Sequence, residues 1–396
     1  MKVILFDEAE TWQHLLPLTY TRPVADLRVG ILTLAEKWER RLHADSMGYD
    51  TREYLQKKFP KGTGNIWINA AAVASDMLAK AVSDLSEGEG LVHNGRLIAA
   101  HSSDPAFNPS DPKLSSASEY EDFLFIDRTW KIFRHVADEI KSDFALITNN
   151  RESAPLDDPH TIVYGRENLF LEPGARVQAA IIDATNGPVY LGKNSFVSAG
   201  SIIRGSFALG EESVVNMGAK LRGDTSVGPG CKVGGEISNS VFQANSNKSH
   251  DGYLGNSVIG EWCNLGADTN CSNLKNNYAP VKTWSYVSKG FADTGLTFCG
   301  LTMGDHSKCG INTMFNTGTV VGVAANIFGS GFPRTFIPSF SWGGASGMIT
   351  HQMGKATETA RLMMERRKIP FSNEDLEIME EVFRSSAEFR IWEGRK

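Results

Sequence analysis

From Leu191 to Ser238 the chain repeats in sixes without a slip. The blocks are LGKNSF, VSAGSI, IRGSFA, LGEESV, VNMGAK, LRGDTS, VGPGCK and VGGEIS. Each opens on an aliphatic residue: Leu191, Val197, Ile203, Leu209, Val215, Leu221, Val227 and Val233. One aliphatic side chain per six residues fills a narrow interior, and glycine and small residues let the backbone turn before the next short strand. Three such sides close one triangular coil of about 18 residues. A single coil cannot bury its own faces, so coils must stack. The rhythm therefore predicts a parallel β-helix.

The rhythm returns at Ile259 and Leu265, then at Met303, Cys309, Phe315, Val321 and Ile327. An earlier fragment opens at Leu171 and Val177. The interruptions at 183–190, 239–258 and 271–302 are expected to be loops or altered corners, where rigid scaffolds carry function. Residues 333–347 read as a Pro/Gly/aromatic crossover. Residues 355–368 and 373–392 read as two helices, the second capped by Ser372 with Asp375 three residues on.

The first half has another pattern. Residues 2–6 (KVILF) and 64–70 (GNIWINA) read as buried strands, and 31–42 and 75–85 as amphipathic helices. GLVHNGRLIAAH (90–101) reads as a hairpin turning at Asn94-Gly95. Residues 41–62 lack a period and 102–120 read as loop. Residues 129–140 read as a helix and 144–147 as a strand. Alternating strands and helices predict an α/β sheet of the doubly wound, Rossmann-like kind. The expected domains are 1–158, 159–347 and a helical segment 348–396.

Charge and cysteine content narrow the function. The net charge is −6, from 40 basic and 46 acidic residues with no polybasic run, which excludes binding to nucleic acid by bulk charge. No apolar run reaches about 18 residues, so no membrane helix is expected. The opening MKVILFDEAE turns acidic too early for a secretory signal. The five cysteines lie in the second half without a CxxC pair, and read as reduced, buried thiols of a cytoplasmic protein with no structural zinc.

An α/β domain followed by a hexapeptide solenoid resembles the bifunctional enzymes of UDP-N-acetylglucosamine synthesis. These join a nucleotidyltransferase domain to a left-handed β-helix acetyltransferase domain. The string KSHDGYLGNSVIGEWCNLGADTNCSN (248–273) carries the resemblance, with GDHSKCGINTMFNTGTVVG further on. It implies acetyl-CoA as cosubstrate and His250 as the general base that takes a proton from the sugar amine. An imidazole suits that task near neutral pH. It further implies that Tyr253, Asn264 and Asn273 bind the sugar phosphate, amine or acetyl group, with Arg222 on phosphate. Ala267 would leave room beside the thioester. Lys248, the only cation in the loop run 238–248, is implied to bind the substrate in place of the family's lysine-rich run. Lys275 and Lys282 are the candidates for the family's later phosphate-binding lysine. His306 lies inside a hexad and reads as corner packing. The family's trimeric assembly is implied as well.

The N-terminal resemblance rests on PLTYTRPVADLRVGI (17–31). The family's glycine-rich phosphate loop is missing, since no glycine falls between residues 3 and 29. Val24 stands where the family has lysine. Arg22, Arg28 and Lys37 are the remaining candidates for nucleotide phosphates. Asp7 is the candidate Mg²⁺ ligand, because Asn69 stands where the family carries a second aspartate. Three other functions compete: a sugar-1-phosphate nucleotidyltransferase with a silent β-helix, a trimeric β-helix scaffold, and a zinc-dependent β-helix hydratase.

Overall fold

The computed structural model describes residues 1–394. They form two compact units, one of residues 1–15, 21–27 and 32–128, the other of 16–20, 28–31 and 129 onward.

The first unit is built on a six-stranded sheet. Its strands are β1 (Lys2–Phe6), β2 (Ser46–Asp50), β3 (Ile66–Asn69), β4 (Glu89–His93), β5 (Arg96–His101) and β6 (Ser116–Glu119), in the order β2-β1-β3-β5-β4-β6. The pairs of β1 with β2 and β3 are parallel, while β5 runs antiparallel to both β3 and β4. The sheet is thus Rossmann-like but mixed. Asn94 and Gly95 take φ of +51° and +78°, which gives the hairpin its tight turn at the expected dipeptide. Helices α1 (Ala9–His14), α2 (Leu34–Leu42) and α3 (Asp76–Ser83) complete the unit. Thr33 caps α2 in a reciprocal box with Glu36.

Two strands escape the sequence pattern. SMGYD (β2) is a partly exposed edge strand, and SASE (β6) is exposed at all four residues. Neither buries enough surface to need an apolar alternation. The expected strand at 144–147 is a correction. Those residues lie in helix α5 (Val136–Thr148), which follows α4 (Thr129–Arg134). Val136, Ile140, Asp143 and Ile147 are its buried face, a period near 3.6 that the four-residue apolar run had hidden.

The second unit is built on a parallel β-helix. The strands Val189–Leu191, Phe207–Leu209 and Thr225–Val227 stack in register 18 residues apart, three hexads per coil. All eight hexad-opening residues from Leu191 to Val233 are at most 1% exposed. One corner column runs Asn194, Glu212, Gly230, Asn245, Trp262, His306, each at φ between +53° and +66°. Trp262 and His306 stack there with ring centroids 6.3 Å apart, so His306 is corner packing.

The three interruptions are structured. At 183–190 the chain makes a turn between the strands Ile181–Asp183 and Val189–Leu191. At 239–258 the corner is fused. Glu236–Phe242 and Tyr253–Ile259 are seven-residue strands that run through it, paired 17 residues apart. At 271–302 the chain leaves the rod for an excursion holding the hairpin Lys282–Ser285/Gly290–Asp293. Helices α6 (Met353–Glu365) and α7 (Asn373–Ser385) follow, and Ser372 with Asp375 forms the expected capping box. Arg367, just past α6, donates to Asn247 Oδ1 on the rod (2.8 Å). The five cysteines are free and buried, and burial pushes the Cys231 and Cys299 thiols up to about 12.

Candidate active site

The fused corner decides the geometry of the β-helix site. The turn from Ser249 to Gly252 lies over Gly234 and Gly235. A Cβ on Gly234 would meet Ser249 O at 2.4 Å, and one on Gly235 would meet His250 O at 2.8 Å. The double glycine is therefore the floor of the turn. Asn216 Nδ2 donates to Ser249 O (2.8 Å) and Asp268 N donates to Asp251 O (3.1 Å). The second contact stacks the His250 corner directly beneath the corner that holds Ala267. His250 is exposed, and among the described residues no side chain hydrogen-bonds its ring.

The face that follows gathers polar groups at 17-residue spacing. Tyr253 pairs with Glu236 in the ladder, and Tyr253 N donates to Asn270 Oδ1 (2.8 Å). Asn273 Nδ2 donates both to the Tyr253 hydroxyl (3.0 Å) and to Asn256 Oδ1 (2.7 Å). Arg222 is 64% exposed at its side chain and donates to Glu236 Oε1 (2.8 Å), with Tyr253 close by. Burial raises the Tyr253 phenol, so it stays protonated at neutral pH. The structure thus unites Arg222, Tyr253 and Asn273, next to the His250–Ala267 corner.

Three other expected residues lie elsewhere. Asn264 belongs to the preceding face, where Asn247 Nδ2 donates to its Oδ1 at 3.5 Å. Lys275 is in the excursion and donates to Pro280 O (2.7 Å). Lys248 is 1% exposed and turned inward. Glu236, Asn256 and Asn270 were not expected. Their signal was the 17-residue echo of NSVF (239–242) in NSVI (256–259), which carries the stacked residues with it.

In the first unit, Asp7 stands at the C-terminal end of β1. It accepts from Val24 N (3.0 Å) and from the Thr51 hydroxyl (2.5 Å). The residue keeps some surface, but its carboxyl is enclosed by protein, and that burial raises it to about 7. Arg22 is 4% exposed and pairs with Asp26 (3.3 Å), while Lys37 is wholly buried on α2. Arg28 belongs to the second unit, where its backbone N–H donates to Gln243 Oε1 (2.6 Å) and its Nε to Gln243 O (3.2 Å). Cations with accessible surface at the ends of these strands include Arg52, 4.5 Å over the Trp12 ring, Arg96, 3.1 Å from Glu8 and 4.7 Å over Phe125, and Lys61, 3.2 Å from Asp50. They became visible only with the strand order, which brings the ends of β1, β2 and β3 together.

Asp7 offers a divalent cation a carboxyl that is already engaged. Magnesium at nucleotide sites is ordinarily held by one or two carboxylates together with substrate phosphates and waters. Here the carboxyl accepts from two donors, and burial raises its proton affinity. Among the described residues no group of three or more His, Cys, Asp or Glu is placed to hold a metal ion.

Both halves of the chain have likenesses among known transferases. Residues 3–152 match the family model "Sugar nucleotidyl transferase". The uncharacterized acetyltransferase YaiX of Escherichia coli K12 is 35% identical over 143 residues, which is 36% of this chain and 61% of YaiX. "Bifunctional protein GlmU" of Methanocaldococcus jannaschii is 37% identical over 87 residues, 22% of this chain and 21% of its own. The likeness is partial, and the chain spans less than two thirds of the length of these relatives. Two solved structures align over most of their own length. The polySia-specific acetyltransferase NeuO covers 54% of this chain and 98% of itself, at 14% identity and a TM-score of 0.28. An Arabidopsis UDP-N-acetylglucosamine acyltransferase covers 61% of this chain and 97% of itself, at 13% identity and a TM-score of 0.23. Among the described residues no helix is long and apolar enough to cross a membrane.

Proposed function

We propose that the chain is a bifunctional sugar-phosphate transferase of the UDP-N-acetylglucosamine type, acting in the cytoplasm. The β-helix segment, residues 159–347, acetylates the amine of glucosamine 1-phosphate from acetyl-CoA. His250 takes the amine proton as the nitrogen attacks the thioester carbonyl. The new N–C bond forms, the C–S bond breaks, and coenzyme A leaves as its thiolate. Arg222 and the Tyr253–Asn273 pair hold the acceptor, and Ala267 leaves space at the acetyl group. The single observation that carries this reading is an exposed His250 in a turn whose backbone stacks on the Ala267 corner and leads into Tyr253, itself bonded to Asn273.

In the first unit, a phosphate oxygen of the acetylated sugar attacks the α-phosphorus of a nucleoside triphosphate and pyrophosphate leaves. Arg52 and Arg96 steer those phosphates. The family match over residues 3–152 supports this half. The burial of Arg22 and Lys37 favours a second reading, acetyl transfer alone.

A homotrimer completes the proposal. The isoleucines Ile162, Ile181 and Ile202 stack on one face of the first coils and are 50%, 38% and 48% exposed, an apolar stripe that a second copy would cover. Sedimentation at micromolar concentration reports the assembly.

The deciding experiment mixes the protein with acetyl-CoA and glucosamine 1-phosphate and follows thiol release. Wild type should turn over and His250→Ala should lose about 10²–10⁴-fold in kcat. No release by wild type, or equal release by the variant, ends the acetyl-transfer proposal. Pyrophosphate release with UTP and the other nucleoside triphosphates separates the two-step reading from acetyl transfer alone.

A further inference from the structure

The interior of the rod contains a charge. One core column runs Val197, Val215, Val233, then Lys248, with Leu265, Cys309 and Ile327 beyond it. Every other rung named is apolar. Lys248 is 1% exposed, yet its position is one the hexad rhythm gives to an aliphatic side chain. A buried ammonium is costly unless its protons are all engaged. Its Nζ donates to three backbone carbonyls: His250 O (3.0 Å), Gly234 O (3.3 Å) and Asp251 O (3.4 Å). An ammonium has three protons to give. Two acceptors are carbonyls of the turn that carries His250, and the third belongs to the glycine floor beneath it.

We propose that Lys248 is a positioning residue for His250, clamping the turn from inside the coil so that the imidazole projects from a fixed backbone. It touches no substrate, because its ammonium faces the interior. Burial lowers it to about 8 against the pull of Asp251, Cys309 and Asp268, so at neutral pH it remains mostly charged and able to donate all three bonds. The other ties on the turn are Asn216 to Ser249 O, Asp268 N to Asp251 O and Glu236 N to Gly252 O. Among the described residues none of these reaches the His250 carbonyl, which leaves Lys248 to hold it.

The catalytic part of this role rests on the acetyl-transfer reading, whereas the clamp does not. The test uses the full chain with Lys248→Met, which matches the apolar column without donating, and Lys248→Arg, which restores charge and donors. Amide hydrogen exchange is read on residues 249–253, and on the strands Val214–Val215 and Lys232–Val233 as an internal control of the fold. Thiol release gives kcat and KM. In Lys248→Met, exchange in the turn should rise at least tenfold with the control strands unchanged. Its kcat should fall at least tenfold with KM within threefold, and Lys248→Arg should recover at least threefold of the loss. Unchanged exchange in the turn, or exchange rising along the whole rod, overturns the clamp. A loosened turn with unchanged kcat overturns the positioning role. A loosened turn in a protein whose wild type transfers no acetyl group sinks the function reading and leaves the clamp standing.

Discussion

The Tyr253 hydroxyl accepts a 3.0 Å hydrogen bond from Asn273 Nδ2, although Tyr253 starts a rod strand and Asn273 opens the long excursion. Gly255 makes this possible. A Cβ there would meet the tyrosine oxygen at 2.3 Å and Asn273 Nδ2 at 2.7 Å. The ring lies across the bare Cα, and the same amide bridges to Asn256.

Gly255→Ala should therefore push the Tyr253 ring off its seat while leaving the strand paired. We expect KM for the acceptor to rise about five- to tenfold, equivalent to roughly 1 kcal/mol for one displaced hydrogen bond. Tyr253→Phe should show a similar rise without the steric change. Steady-state kinetics with varied acceptor check both, and equal KM in all three proteins would remove Tyr253 from the acceptor site.

Arg222 offers a cleaner separation of binding from folding. Its side chain is mostly exposed and its bond to Glu236 is a surface pair, worth about 0–1 kcal/mol to stability. Arg222→Ala should leave the melting temperature unchanged and raise KM for a phosphorylated acceptor. An unphosphorylated amino sugar should respond less, since only the phosphate loses its guanidinium partner.

Asp7 sets a pH signature for the first unit. Its carboxyl sits near 7 in the fold because burial disfavours the ionised form. From about pH 4 to 7 the folded chain keeps this proton and the unfolded chain releases it, so stability falls as pH rises through that window. Asp7→Asn has no proton to lose. The variant should match wild type near pH 4 and be more stable by about 1–3 kcal/mol at pH 7.5. Melts at the two pH values check this, and parallel curves would refute the assignment.

The interior of the rod should respond as a packed core. Leu209 is fully buried between Leu191 and Val227. Leu209→Ala should cost about 2–5 kcal/mol, and Leu209→Met less than about 1.5. Chemical denaturation followed by circular dichroism reads the difference.

The hexads alone specified the coil, because one aliphatic side chain per six residues has no other way to be buried. They also specified that the breaks matter, and the cap at Ser372 and the turn at Asn94-Gly95 were equally local. The edge strands β2 and β6 were hidden by their exposure, since a strand that buries little carries little pattern. The apolar run in α5 was too short to reveal its period. Which residues of the candidate site meet was decided by the stacking of coils. Shortening successive coils, one to 15–16 residues and the next to 17, set Glu236, Tyr253 and Asn270 in one column, while Asn264 lies on another face. The same stacking turned Lys248 inward, where a cation is held by carbonyls that lie next to it only after the coil has closed.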